Sequence, residues 1–232
     1  CMPAAECAVE QVTLSATVRR NRMKRDVRSP TFPIWLLGDS NPKQWEHVLE
    51  TPLDPRHPAI HNIWTPVLDV IQDRVFREGK WRVDALSLYI RNAIEDPGDK
   101  PLSNEVRWSE KVEGEARVLQ RLIDEHVPAM LLCFGAFSFE FARRALCQSP
   151  ERAYAYWRAR RLGEEFRHRI SEFDIATTNV LPLLHVSIAR GRFLQSHEYF
   201  CDRKGANYFK YVGERIAAIL IEHRSSLEIW IE

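Results

Sequence analysis

The sequence predicts an α/β fold: one three-layer α/β/α domain built on a short, mainly four-stranded parallel sheet. Apolar runs of four or five residues, each closed by glycine or a polar residue, alternate with stretches whose apolar residues recur at helical spacing. The chain has 232 residues, 45% of them hydrophobic, enough to bury a full core as a single domain. Strands separated by helices of this length imply right-handed crossovers and a sheet covered on both faces.

Each element has its own signal. Residues 1–30 read as a loosely ordered basic extension, because Arg19, Arg20, Arg22, Lys24, Arg25 and Arg28 crowd a stretch with little apolar periodicity; the domain is expected over 31–232. Ile34 to Leu37 is a continuous apolar run ended by Gly38 and reads as the first strand. Thr65 and Pro66 suit the cap and first position of a helix carrying Val67, Leu68, Ile71 and Val75. Leu86 to Ile90 is the second strand, and Val112, Ala116, Leu119 and Ile123 mark the next helix. Met130 to Phe134 is the third strand, broken by Gly135 before a helix with Phe137, Phe141 and Ala145. Val180 to Leu184 is the fourth, ending at His185, and Tyr208, Tyr211, Val212, Ile216, Ile219 and Leu220 share one face of the last helix. Residues 151–169 are expected to be a helix in which Arg152, Arg158, Arg160, Arg161, Arg167 and Arg169 interleave with Tyr154, Tyr156 and Trp157. That mixture suits nucleic acid, and equally a solvated helix whose arginines pair with Glu151, Glu164 and Glu165.

Composition removes several classes. The net charge is +1, so a nucleic-acid partner requires a local basic patch rather than a global field. Cysteines 1, 7, 133, 147 and 201 are scattered and odd in number, unlike a disulfide framework or a zinc site, which points to a reducing, cytoplasmic setting. No apolar run approaches the roughly 20 residues of a membrane helix, and no signal-peptide centre is evident, so no membrane partner is expected. No glycine-rich phosphate loop is present, and neither a metal nor an organic cofactor is expected. Oligomeric state is open.

Sites on parallel sheets lie beyond the strand C-termini. Three strand ends deliver polar groups there: Asp39, Ser40 and Asn41 after the first, Asn92 after the second, and His185 with Ser187 after the fourth. Each alone reads as a turn former or a core histidine; their convergence on one rim is the functional signal.

In order, these segments resemble the uracil-DNA glycosylase superfamily from about Pro33 to His223. Leu36-Leu37-Gly38-Asp39-Ser40-Asn41-Pro42 is similar to the family's first-strand motif ending in Asp-Pro or Asn-Pro. Tyr89-Ile90-Arg91-Asn92, followed by Pro97-Gly98, is similar to its second. Pro128 to Ala136 matches a proline-led strand ending in a small-residue turn, and His185-Val186-Ser187 resembles the closing His-Pro-Ser. Two departures stand out: two residues rather than one separate Gly38 from Asn41-Pro42, and Val186 replaces a proline.

The resemblance implies a glycosylase-like fold and a hydrolase that cleaves the N-glycosidic bond of a flipped uracil or other deaminated or damaged base in DNA, single- or double-stranded. Asn92 would read the base edge with one donor and one acceptor, and His185 would donate a hydrogen bond to the departing base anion. Asp39 would act as general base on water, or Asn41 would position that water. Trp64, which equally fits the buried face of its helix, or else His61 would stack on the base; Ser187 would hold a phosphate; Arg190 or Arg192 would fill the vacated duplex space. Two other readings stay open. One is a Gly-Asp-Ser ester hydrolase with Ser40 as nucleophile and Asp54-Pro55-Arg56-His57 as its only local Asp-x-x-His pair. The other is a noncatalytic nucleic-acid-binding protein of the same fold.

Overall fold

The structure, a computed structural model, describes residues 24–45, 48–57, 60–189 and 194–231. Its main sheet has five strands: β1 (Asp26–Val27), β2 (Ile34–Gly38), β4 (Tyr89–Asn92), β5 (Met130–Phe134) and β6 (Asn179–Leu183), in the order β1-β4-β2-β5-β6. β4, β2, β5 and β6 are mutually parallel and β1 is antiparallel to β4. A separate two-stranded ribbon joins β3 (Arg82–Val83) to β7 (Trp230–Ile231). The sheet is thus mostly parallel, as expected, with one added edge strand.

The two innermost strands of the parallel set are apolar because both of their faces are covered: Trp35, Leu36 and Leu37 on β2 and Met130 to Cys133 on β5 are each about 1% exposed or less. With this strand order, the rule that parallel crossovers are right-handed puts α1 (Thr65–Gly79) on one face and α2 (Glu110–His126) and α3 (Ala136–Ala145) on the other. The packing follows that division, with α2 against α3 and α1 against α7 (Tyr208–Glu222). α4 (Ala159–Ser171) lies against β6 and α6 (Leu194–Cys201), and α5 (Val186–Ala189) is a single turn after β6. Among the described residues no helix is long and apolar enough to cross a membrane.

Four elements differ from the sequence expectation, each for a local reason. β4 begins at Tyr89 rather than Leu86, because Asp84 accepts from the Leu86 N–H (2.8 Å) and the Ser87 hydroxyl (2.8 Å) and curls that segment into a turn. Thr65 does not cap α1: a π-helical turn, Ile60–Trp64, runs straight into it. The helix expected over 151–169 starts only at Ala159, after a 3-10 turn at Tyr154–Tyr156. Its beginning is held on α3 instead, where the fully buried Glu140 accepts from the Arg152 N–H (2.7 Å) and Trp157 Nε1 (2.7 Å) and pairs with Arg143 and Arg144. Finally, the basic extension is part of the sheet from Asp26, earlier than the boundary expected at 31; residues 1–23 lie outside the described residues.

Candidate functional site

The connection leaving β2 leads to β4 on one side, and the next crosses back to β5 on the other, so the topological switch point lies between β2 and β5. The segments that leave the two strand ends depart in opposite directions, and the Ser138 hydroxyl and Asp39 Oδ1 meet across them at 3.1 Å. Asp39 and Asn41 follow β2, Asn92 ends β4, Gly135 follows β5, and His185 follows β6 by two residues.

The first two strand ends are zipped together. Ala93 and Ile94 donate backbone hydrogen bonds to the Gly38 and Asp39 carbonyls (2.9 and 3.1 Å), and Asn92 Nδ2 donates to Asn41 Oδ1 at 2.5 Å. Both amides are nearly buried, 8% and 6% exposed, so the bond fixes their orientation against little competition from water. Gly38 makes room for it: a Cβ there would stand 2.4 Å from Asn92 Oδ1. The Asn92 backbone N–H is held from the other side by the Arg25 carbonyl (3.0 Å), just ahead of β1.

Asp39 is held at both oxygens. Lys100 Nζ lies 2.5 Å from Oδ2, and the Ser138 hydroxyl, in the first turn of α3, lies 3.1 Å from Oδ1 and 2.7 Å from the Phe134 carbonyl. Lys100 and Ser138 were not among the residues expected from the sequence. Each lies two residues beyond a motif-like segment, Pro97-Gly98 in the loop after β4 and the Gly135-Ala136 turn after β5, and only the packing brings them to Asp39.

His185 sits over Gly135, whose φ of 105° is open to glycine and whose missing Cβ would fall 2.9 Å from His185 Cβ. The ring Nδ1 accepts the Ser187 backbone N–H (3.3 Å) and lies 2.9 Å from the Ser187 hydroxyl. An Nδ1 that accepts places the hydrogen of a neutral imidazole on Nε2, making that atom a donor. The segment is braced at both ends: the Tyr208 hydroxyl accepts the Leu184 N–H (2.9 Å), and His197 Nε2 lies 2.8 Å from the Ala189 carbonyl. Burial raises the Tyr208 phenol well above its ordinary range, so it remains protonated.

No family model matches the chain, and no curated protein matches it.

The other expected residues divide. Trp64 is 6% exposed and meets Phe134 edge-to-face at 6.3 Å, which gives it a core position beneath the rim. His61, on the same π-helical turn, is exposed, and that turn packs against α5. Ser187 is exposed and serves His185; Arg190 and Arg192 lie outside the described residues. Asp54, the carboxylate of the Asp-x-x-His pair, directs both oxygens to Arg56, from Nε at 2.8 Å and Nη2 at 2.6 Å. These bonds hold its pKa well below the usual carboxylate range. That carboxylate braces its own loop.

Chemically, the rim offers an oriented amide pair, a fixed carboxylate beside a cation, and an imidazole Nε2–H donor. From β4 to β6 it spans three strand spacings, about 14 Å between backbones.

Proposed function

We propose that this chain is a DNA glycosylase-like hydrolase of the uracil-DNA glycosylase kind, cleaving the N-glycosidic bond of a flipped uracil or other deaminated or damaged base. The observation that carries the reading is the meeting at one rim of the segments that resemble the family's motifs, with the Asn41–Asn92 amides bonded to each other and His185 Nδ1 accepting the Ser187 N–H. In this reading the flipped base docks at the switch-point rim, and Asn92, its amide fixed by Asn41, reads the base edge. The His185 Nε2–H stabilises negative charge developing on the departing base, and a preorganised donor in a closing pocket is worth more there than in water. Water adds at C1′, handled by Asn41 or Asp39, giving the free base and an abasic sugar.

The test is cleavage of labelled oligonucleotides carrying uracil, hypoxanthine, xanthine or a thymine mismatch, single- and double-stranded, with alkali to reveal abasic sites. Wild type should yield product on at least one substrate. His185→Ala should lose about 100-fold or more in rate, the effect of removing one charge-stabilising donor, with DNA binding retained. No product from folded wild type on any of these substrates would end the reading. Asp39→Asn and Asn41→Ala, compared on the active substrate, assign the water.

A further inference from the structure

We propose that Lys100 is a positioning residue of this site, acting through Asp39; the inference rests on the glycosylase reading. Lys100 Nζ lies 2.5 Å from Asp39 Oδ2, and the pair is partly withdrawn from water, the two side chains being 27% and 15% exposed. The ammonium also stands over two aromatic rings, 5.0 Å from the centroid of Phe137 and 5.2 Å from that of Tyr154. Two ring faces and a carboxylate together fix a cation that on an ordinary surface would be mobile.

The loop that carries Lys100 is built as a mount. Asp96 Oδ1 accepts the Gly98 N–H at 2.7 Å and opens the 3-10 turn Pro97–Asp99. The Lys100 N–H closes that turn on the Pro97 carbonyl, and the Tyr154 hydroxyl donates to the Pro101 carbonyl at 3.3 Å. The two charges come from different elements, Asp39 after β2 and Lys100 on this loop, and a further cation, Lys43, stands beside the same loop, its Nζ 3.7 Å from where a Gly98 Cβ would stand. With Ser138 at the other oxygen, Lys100 stops the Asp39 carboxylate from turning about its terminal bond. A carboxylate held this way meets the positive charge developing at C1′ without reorganising, whereas a free one would first have to be oriented. Lys100 thus serves the reaction by where it keeps Asp39.

The experiment is a double-mutant cycle on the active substrate under single-turnover and steady-state conditions. Lys100→Gln should lower kcat by about 100-fold, the scale of an ångström-sized misplacement, with KM unchanged. Lys100→Arg, which returns a cation to Asp39, should recover much of the loss. Adding Lys100→Gln to Asp39→Ala should cost nothing further, because the group it positions is gone. Lys111→Gln removes a neighbouring exposed cation, paired with Asp99 at 2.6 Å, and should leave kcat unchanged. If Lys100→Gln does not fold, Lys100→Met, which keeps an apolar stem against the rings, is read in the same way. An unchanged kcat, a rise in KM alone, or additive losses in the Asp39 background would each overturn the inference while wild-type cleavage upholds the glycosylase reading. Wild type inactive on every substrate would instead remove that reading and the inference with it.

Discussion

At the scale of single residues the rim depends on two missing side chains. Gly38 leaves space for Asn92 and Gly135 leaves space for His185, so both groups approach the strand ends more closely than any Cβ would allow. For Gly38→Ala the obstructing atom is the end of the Asn92 side chain, which can swing away while the strand stays in place. The stability cost should therefore be modest, about 1 kcal/mol. The loss of function should be large, because the Asn41–Asn92 bond cannot survive the swing; cleavage should fall about 100-fold. Thermal unfolding measured beside cleavage checks the pair of outcomes, and a steep fall in Tm with proportionate loss of activity would show the glycine to be a packing residue only. Which residues were legible in the sequence follows the same logic. Asp39, Asn41, Asn92 and His185 sit at ends of apolar runs, where a parallel sheet must present them. Lys100 and Ser138 meet Asp39 through tertiary packing across sequence separations of 61 and 99 residues, and no periodicity encodes such a meeting.

At the scale of elements, β1 does more than lengthen the sheet. Only two residue pairs join it to β4, yet it brings the Arg25 carbonyl onto the Asn92 N–H and sets Asp26 beside the hydroxyl of Tyr89 (3.1 Å) and beside Arg91 (3.2 Å). Arg91 is 2% exposed, and its other acidic neighbour, Glu115, is 3.8 Å away. Asp26→Ala should therefore cost about 1–3 kcal/mol in urea unfolding, the range for a lost charged hydrogen bond. It should also speed amide exchange at Asn92 as the strand frays; exchange at Asn92 as slow as in wild type would show that β1 stays docked without Asp26. A two-residue strand with no apolar alternation leaves no trace in a sequence, which explains why this segment reads as a loose extension. By contrast β2, β5 and β6 are buried on both faces and announce themselves as apolar runs. The late start of α4 was equally hidden, because it depends on Glu140 drawing Trp157 and the Arg152 backbone onto a different helix.

At the scale of the whole molecule, strand order decides where chemistry can occur. With β2 and β5 central and their connections departing in opposite directions, one rim gathers loops from four strands, and this architecture was readable from alternating apolar runs and helical stretches well before any site could be drawn. The order also leaves the sheet with two borders. One is β1, only two residues long and so a short template. On the other, β6, Asn179 donates to the Ala129 carbonyl and Leu183 accepts from the Gly135 N–H, so the odd-numbered residues bond inward and Val180 and Pro182 face away from β5. Proline has no N–H to offer, and it occupies one of those two outward positions. A border that cannot donate at one of its two outward positions is a poor template for an incoming strand, from a second copy or from a chain emerging unfolded. Pro182→Val would complete the row, and light scattering of the refolded variant should then reveal association at concentrations where wild type stays dispersed. The imino acid in β6 thus guards the solubility of the folding chain.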